Sequence, residues 1–397
     1  MISAASRPYI DASVPVLREH GLAITKIFYR NLFVELPALT NLFNMGNQAN
    51  GAQQQSLASA VFAYAANIDN PDVLGPVVSR IVHKHASIGV RAEHYPIVGR
   101  HLLGAIAEVL GEAATPPLLA AWEEAYGELS GIFIAAEQAM YVAAAIEPGQ
   151  TRTMTVVDVN KESEDVMSVR LRPTDGTPAP AFHAGQYLSC HVDLDDGTHQ
   201  IRQYSISDAP SGNTLRISVK REAEGLARPA GAVSNWIHRN IAPGMELAVS
   251  NPYGDFTPDS DASEPIVLIS AGVGLTPMIA TLNRIAQVNP TRRVIFAHAA
   301  RSVQHHAHRT DVAEAQKRMP NLEVITFYQE GAEEAGVNSG MMNAARLPSW
   351  QRSEAKVYMC GPIGFMQQQW KELLELGVPA ANLHREVFGP EALEHLL

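Results

Sequence analysis

Residues 147–159 read EPGQTRTMTVVDV, and the periodicity of the chain changes inside this stretch. Before it, apolar residues recur at helical spacing, as at Leu102, Ile106 and Val109. The proline and glycine at its start end the last predicted helix, and the alternation from Met154 onward predicts a β-strand. The stretch therefore marks a boundary between a helical domain and a domain of another class.

Two further domains are predicted after this boundary. Short β-branched runs separated by turns, such as 166–171 and 215–220, indicate the antiparallel strands of a small barrel. Farther on, apolar runs alternate with helical patterns, which is typical of a parallel sheet covered by helices. We therefore predict a multidomain fold with an all-α domain over 1–147, an antiparallel β-barrel domain over 148–258 and an α/β domain over 259–397.

The composition is that of an ordinary globular protein. The 397 residues are 46% hydrophobic and 18% charged, with a net charge of −11, and no basic stretch indicates nucleic-acid binding. No uncharged apolar run has the ~18 residues of a transmembrane segment. Cys190 and Cys360 lie far apart without metal-ligand spacing, so we expect free thiols and a cytoplasmic location.

The α/β domain contains a glycine-rich motif, which reads Gly272-Val273-Gly274-Leu275-Thr276-Pro277. It follows an apolar strand and opens a helix, so its backbone can approach a pyrophosphate near the helix N-terminus. We expect Thr276 to cap this helix and Pro277 to start it. Because Pro277 replaces the third glycine of G-x-G-x-x-G, the motif favours a flavin-reductase type of nicotinamide domain over a Rossmann dehydrogenase.

A second motif, Arg202-Gln203-Tyr204-Ser205, lies in the predicted barrel. It matches the R-x-Y-S motif of ferredoxin reductase-like flavin barrels. Arg202 can neutralise a diphosphate, Tyr204 can face the isoalloxazine, and Ser205 can bond near N5. The motif follows Tyr187, in a stretch similar to a flavin-contacting strand, and precedes a glycine-led helix start. Together these features indicate FAD.

The helical domain contains a candidate iron ligand, His85, in Lys84-His85-Ala86-Ser87. A helical haem domain needs a neutral imidazole on one side of the iron. Taken alone, His85 fits a surface or core position better than a ligand. Together with Leu42-Phe43-Asn44-Met45 upstream and the flavin motifs downstream, it makes the chain resemble the flavohaemoglobins over essentially its full length.

This resemblance implies a haem b pocket with polar groups on both sides of the iron. On the distal side, Tyr29 and Gln53 would hydrogen-bond a diatomic ligand, Leu57 would limit access, and Phe43 would wedge against the porphyrin. From the residues alone, Tyr29 fits a core aromatic equally well.

On the proximal side, the resemblance implies that Tyr95 and Glu137 hydrogen-bond around His85 and give its imidazole anionic character. The alternative for Glu137 is a position facing solvent. Lys84 is expected either at the electron-transfer interface or as an exposed helix lysine.

Five residues near these motifs are expected to take no part. His83 is predicted to face away from His85 on the same helix, and Gln54 and Gln55 are predicted to be solvated. The loop containing His306 and His308 is interpreted as solvated rather than as a metal site.

Two C-terminal stretches also resemble cofactor-contacting loops of the family. A nicotinamide-facing loop would consist of Cys360, Gly361 and Pro362, although a buried structural cysteine is the alternative. The terminal loop that covers the flavin until nicotinamide displaces it would contain Glu386, Val387, Phe388, Gly389 and Pro390.

The activity that the resemblance implies is that of a nitric oxide dioxygenase, which converts NO and O2 to nitrate. Electrons would pass from NAD(P)H through FAD to haem, and the sequence does not decide between NADH and NADPH. The alternatives are a haem-based O2 or NO sensor, an alkyl hydroperoxide reductase with a lipid in the distal pocket, and a flavin reductase without haem. We expect a monomer.

Overall fold

A computed structural model describes residues 2–210, 212–225, 229–331 and 336–390. Met1 and residues 391–397, at the ends of the predicted first and third domains, lie outside the described residues. The chain folds in succession into a helical region, an antiparallel sheet and a parallel sheet, which confirms the predicted fold class.

The N-terminal region is all-α. Its helices are α1 (Arg7–Glu35), α2 (Met45–Ala49), α3 (Ala52–Ala66), α4 (Gly75–Ile88), α5 (His94–Leu110) and α6 (Pro116–Ala144). Helix α1 packs against α3 and α5, and their apolar faces bury Phe28, Leu32, Phe62 and Ile106. Among the described helices, none combines the length and hydrophobicity that crossing a bilayer requires.

The middle region is a curled antiparallel sheet. Its elements are β1 (Arg152–Lys161), β2 (Val166–Pro173), β3 (Tyr187–Asp193), β4 (His199–Ser205), β5 (Leu215–Lys220), α7 (Ala232–Asn240) and β6 (Glu246–Val249). The strand order is β4-β3-β6-β1-β2-β5, so β4 and β5 are the edges. A bridge between Ile206 and Ile217 joins these two edges, and the sheet closes into a barrel.

The C-terminal region is a parallel sheet with helices. Its elements are β7 (Ile266–Ala271), α8 (Leu275–Val288), β8 (Val294–Ala300), α9 (Arg309–Arg318), β9 (Leu322–Tyr328), β10 (Val337–Ser339), β11 (Lys356–Cys360), α10 (Ile363–Glu375) and β12 (Leu383–Glu386). The strand order is β10-β9-β8-β7-β11-β12. The apolar runs predicted four of these strands, whereas β10 and β12 are short and partly polar and went unpredicted.

The helical region rests on the barrel through a cluster of aromatic side chains. Ala86 on α4 and Tyr141 on α6 pack with Tyr187 on β3 and with Tyr253, which follows β6. This apolar contact places the end of α4 beside the first residue of β3. The helix of the candidate iron ligand therefore lies beside a strand of the predicted flavin site.

Candidate functional site

The proximal side of the candidate iron site is a hydrogen-bonded group from three helices. His85 Nδ1 on α4 lies 2.9 Å from Oε1 of Glu137 on α6 and 3.0 Å from the hydroxyl of Tyr95 on α5. The Tyr95 hydroxyl donates to the same carboxylate oxygen at 2.5 Å. Because a carboxylate only accepts hydrogen bonds, Nδ1 carries the proton and leaves a lone pair on Nε2, as a metal ligand requires.

Burial makes this group suited to polarise the imidazole. Glu137 is only 2% exposed, so the alternative of a position facing solvent is wrong. Burial and the adjacent Glu137 raise the pKa of Tyr95, which therefore keeps its proton and remains a donor. A buried carboxylate is stable only when it accepts hydrogen bonds, and Glu137 accepts one from His85 and one from Tyr95.

The predicted distal residues also lie together. Tyr29 on α1 is buried, and its ring stacks on Phe33 at 5.8 Å and meets Phe43 edge-on at 5.7 Å, measured between centroids. Burial raises the pKa of Tyr29 to about 12, although a hydrogen bond with the Gln53 side chain opposes this rise. Leu57, one helical turn after Gln53, packs half-buried against the same core. The phenol is therefore a protonated donor.

The prediction for the neighbouring glutamines is half wrong. Gln55 is exposed as expected, but Gln54 is buried. Its Nε2 donates to the backbone oxygen and to Oε1 of Gln48, at 3.2 and 2.8 Å. The short helix α2 folds back over α3 and covers Gln54, which helical spacing alone does not reveal.

The predicted flavin residues converge on the paired strands β3 and β4. The antiparallel register places Tyr187 directly opposite Ser205, and Tyr204 lies next along β4. Burial raises the pKa values of Tyr187 and Tyr204, so both phenols keep their protons. Within the described residues, the Arg202 guanidinium donates to the Ile201 carbonyl and the Gln200 side chain and to no carboxylate. Its charge is thus available to an anionic ligand.

Two predicted cofactor residues form contacts that connect the barrel and the α/β domain to helix α4. The Gln203 side-chain amide donates to the hydroxyl of Ser87 at 2.7 Å. Lys84 Nζ donates to the Gly389 carbonyl at 2.7 Å, so Lys84 is not simply an exposed helix lysine. Both contacts lie within two residues of His85 along the helix.

The nicotinamide motif lies at the carboxyl edge of the parallel sheet. Residues Gly272–Gly274 form a turn after β7, and a Cβ on Gly274 would clash with the Cys360 carbonyl. Glycine is therefore required where this turn touches the loop of Cys360, Gly361 and Pro362, which precedes α10.

The predicted helix cap in this motif is wrong. Helix α8 begins at Leu275, two residues before Pro277, and Gly274 occupies the N-cap position. The Thr276 hydroxyl lies inside the first turn and donates to the Val273 carbonyl at 3.1 Å. The helix starts early because the turn at Gly272–Gly274 already has helical curvature.

The end of the described chain runs beside the nicotinamide motif. The parallel register pairs Cys360 with Glu386. Burial, reinforced by Glu386, raises the pKa of the Cys360 thiol well above its ordinary value, so it is an un-ionised thiol. Beyond it Val387 is buried, whereas Phe388 is 44% exposed. This exposure suits a ring that covers a bound cofactor.

The sequence predicts that His83 takes no part, but its side chain contacts the barrel domain. Its Nδ1 accepts a hydrogen bond at 3.0 Å from the backbone N–H of Gly254, in the loop after β6. Helix geometry places His83 and His85 on opposite faces of α4, and the face with His83 is turned toward the loop after β6. Helical spacing predicted the direction and could not predict the neighbour.

The histidine loop after β8 was also wrongly predicted to be solvated. His306 and His308 are 6% and 0% exposed. His308 lies 2.8 Å from the Ser218 hydroxyl on β5 and 2.9 Å from the carboxylate of Asp311. Asp311 is paired with Arg216, so the group joins the barrel to the α/β domain through a buried ion pair.

Comparison with known domain families matches three parts of the chain. Globin matches residues 26–133, the oxidoreductase FAD-binding domain matches residues 153–257, and the oxidoreductase NAD-binding domain matches residues 268–371. These three matches coincide with the helical region, the barrel and the parallel sheet.

Relatives match the chain over nearly its full length. The flavohemoprotein of Rhizobium meliloti is 44% identical over 98% of this chain and 99% of its own. The flavohemoprotein of Chromobacterium violaceum is 46% identical over 98% of both chains.

Solved structures agree with these sequence matches. A flavohemoglobin from Malassezia yamatoensis, solved with bound FAD and heme, superposes with a TM-score of 0.87 at 30% identity, over 98% of this chain and 100% of that one. The FAD/NAD-binding domain of nitric oxide dioxygenase from Vibrio cholerae superposes with a TM-score of 0.57 at 37% identity, over 60% of this chain and 99% of that one. The chain therefore belongs to the flavohemoprotein family.

Proposed function

We propose that the protein is an NAD(P)H-dependent nitric oxide dioxygenase, in which electrons pass through FAD to haem b while NO and O2 become nitrate. The observation that carries this proposal is the hydrogen-bonded group of His85, Tyr95 and Glu137, whose histidine lies on the helix that contacts the flavin-type barrel. The name of the Vibrio cholerae relative and the FAD and heme of the Malassezia yamatoensis relative support it.

The helical region has the donor set that haem requires. Nδ1 of His85 is held by Glu137, so Nε2 is the atom that would bind iron, and Phe43 would flank the porphyrin. Haem would supply the metal centre at which NO and O2 react. Tyr29 and Gln53 would hydrogen-bond the reacting molecules from the opposite side.

The proximal hydrogen bonds distinguish this site from a simple oxygen carrier. Glu137 accepts from both His85 and Tyr95. The buried negative charge gives the imidazole anionic character, which pushes electron density toward the metal. Reversible oxygen storage does not need this effect, whereas the oxidation of NO does.

The barrel and the parallel sheet have the residues for hydride uptake. Arg202 would pair with the diphosphate of FAD, and Tyr187, Tyr204 and Ser205 would surround the isoalloxazine. FAD would supply the conversion of a two-electron hydride into single electrons. The turn at Gly272–Gly274 would cradle the dinucleotide, and Phe388 would yield its place to the nicotinamide.

Three further features belong to the same proposal. The domains would divide after residues 147 and 258, since α6 ends at Ala144, β1 begins at Arg152 and β7 begins at Ile266. The electron path lies within one chain, so a monomer would suffice. The two free buried cysteines are compatible with the cytoplasm.

An anaerobic mixing experiment tests the activity. The purified protein is mixed with NADH, and flavin and haem absorbance are followed before O2 and NO are added. We expect both chromophores in equal amounts, reduction of flavin before haem, and nitrate formed in proportion to the NADH consumed. A protein that reduces its haem but consumes NO no faster than free haem contradicts the proposal.

The same experiment separates the alternatives. A sensor would show slow turnover, and an alkyl hydroperoxide reductase would consume hydroperoxide faster than NO and copurify with lipid. A flavin reductase without haem would lack the Soret band.

A further inference from the structure

Helix α4 presents a second functional face, opposite the one that carries His85. Along this face, the half-buried His83 accepts a hydrogen bond at 3.0 Å from the Gly254 N–H. Ser87, one helical turn later, accepts a hydrogen bond at 2.7 Å from the Gln203 side chain. The helix that carries the candidate iron ligand is thus hydrogen-bonded to the barrel at two successive turns.

Gly254 is tightly held on the barrel side of this contact. Its φ of +120° is a conformation that other residues rarely adopt, and a Cβ added there would lie 3.1 Å from two ring atoms of Tyr187. Tyr253 and Tyr187 also exchange two backbone hydrogen bonds, at 2.8 and 3.0 Å. The residue that donates to His83 therefore lies close against the Tyr187 ring.

Tyr187 connects this contact to the candidate flavin site. It begins β3 and lies opposite Ser205 in the antiparallel register. A short path of packed and hydrogen-bonded groups thus runs from His83 through Gly254 to Tyr187. Displacement of α4 at His83 would change the distance between His85 and the residues predicted to surround the flavin.

We propose that His83 is a positioning residue that docks α4 on Gly254 and thereby sets the geometry for electron transfer from flavin to haem. This inference rests on the proposed function. In this role His83 acts by holding the iron-ligand helix against the tyrosine of the flavin site.

Three variants of the holoenzyme test this role by stopped-flow absorbance under anaerobic conditions with NADH. His83→Phe keeps an aromatic ring but removes the acceptor, whereas His83→Asn retains an acceptor atom at the position of Nδ1. His20→Phe is the matched control, since His20 lies on α1 with 43% of its side chain exposed.

We expect NADH to reduce the flavin at the wild-type rate in every variant. Haem reduction in His83→Phe should be about fivefold slower, as expected for the loss of one net hydrogen bond. His83→Asn should restore the haem reduction rate to near that of the wild type, and His20→Phe should match the wild type.

Hydrogen–deuterium exchange gives a readout that does not depend on turnover. Peptides that cover residues 250–256 should exchange faster in His83→Phe by about fivefold and at the wild-type rate in His83→Asn. Equal exchange and equal haem reduction in His83→Phe and wild type would overturn the inference. Wild-type haem that stays oxidised beside reduced flavin would instead contradict the proposed function, and the exchange data would still report whether His83 holds Gly254.

Discussion

Glu137 is the residue on which the proximal side of the site depends. Its Oε1 is the common acceptor for His85 and Tyr95, and the residue is 2% exposed. Without this acceptor the imidazole would lose both its orientation and its anionic character. A substitution of Glu137 that leaves His85 in place can therefore measure what the carboxylate contributes to activity.

We predict that Glu137→Gln keeps haem bound but lowers the rate of NO consumption by roughly 10- to 100-fold, the usual cost of losing a partner of a metal-bound histidine. The amide retains the size of the carboxylate and removes the charge. The rate is measured with an NO electrode, and the iron–histidine stretching frequency should fall in parallel. Glu123→Gln, at an exposed position on α6, should leave both unchanged. An unaltered rate in Glu137→Gln would contradict the proposed role.

The raised pKa of Tyr29 makes the free energy of unfolding depend on pH in the alkaline range. Burial raises its pKa from 10.0 to about 12, so the folded state keeps a proton that the unfolded state releases. The contribution of Tyr29 is complete below the unfolded pKa and is lost as the pH rises from about 10 to 12. We predict that the free energy of unfolding falls by ~1 kcal/mol between pH 9 and 11 because of Tyr29 alone.

Urea unfolding at the two pH values measures this loss. Tyr29→Phe should show a smaller decrease than the wild type, since its ring cannot ionise. Tyr9→Phe, at a position where the tyrosine is 39% exposed, is the control and should show the wild-type decrease. Equal decreases in Tyr29→Phe and wild type would exclude Tyr29 as the source.

At the scale of secondary-structure elements, two turns at the edge of the parallel sheet must fit together. The turn after β7 touches the loop after β11, and a Cβ on Gly274 would clash with the Cys360 carbonyl. Both turns belong to the candidate nicotinamide site. A change at one turn should therefore affect hydride uptake and leave the helical region untouched.

We predict that Gly274→Ala slows flavin reduction by NADH about tenfold, because overpacking at a tight contact costs ~1–3 kcal/mol. The haem content and the rate of haem reduction by a chemical reductant should not change. Gly364→Ala is the matched control, since a Cβ there would meet nothing within 4 Å. The measurement is stopped-flow flavin absorbance. If NADH reduces the flavin of Gly274→Ala at the wild-type rate, the two turns can move apart without cost and the prediction is wrong.

At the scale of the whole molecule, a buried ion pair joins the barrel to the α/β domain. Arg216 on β5 lies 2.7 Å from Asp311 on α9, and their side chains are 10% and 13% exposed. Burial tends to raise the pKa of Asp311, but the hydrogen bond from His308 and the charge of Arg216 hold it well below its ordinary value. Asp311 thus stays ionised and stabilises the domain contact down to acid pH.

We predict that Asp311→Asn lowers the free energy of unfolding by ~3 kcal/mol, since it removes the nearest counter-ion of the buried Arg216 and leaves the longer contact with Asp208, at 3.9 Å. Urea unfolding at neutral pH measures this change. The difference from wild type should shrink as the pH falls below about 4, because Asp311 of the unfolded chain then takes up a proton while the folded state still keeps the carboxylate ionised. Glu314→Gln, which removes an exposed pair with Lys317 on the same helix, should cost ~0.5 kcal/mol or less. Equal losses in the two variants would contradict a buried role for Asp311.

Local sequence is sufficient for the succession of three fold classes and for the two contiguous motifs of the candidate flavin and nicotinamide sites. Periodicity distinguishes helices from strands because each buries apolar side chains at its own spacing. The motifs around Ser205 and Gly274 are contiguous, so their chemistry can be read without a structure. The roles of Tyr29, Tyr95 and Glu137 needed the family resemblance, since these residues lie in separate helices.

Only the tertiary structure decides which distant groups meet. His83 and Gly254 are 171 positions apart, and Ser87 and Gln203 are 116 apart, so no local pattern links them. The burial of His308 likewise depends on Ser218 in another domain. Helical geometry determines where a side chain points, but the packing of whole domains determines whether it meets water or a partner.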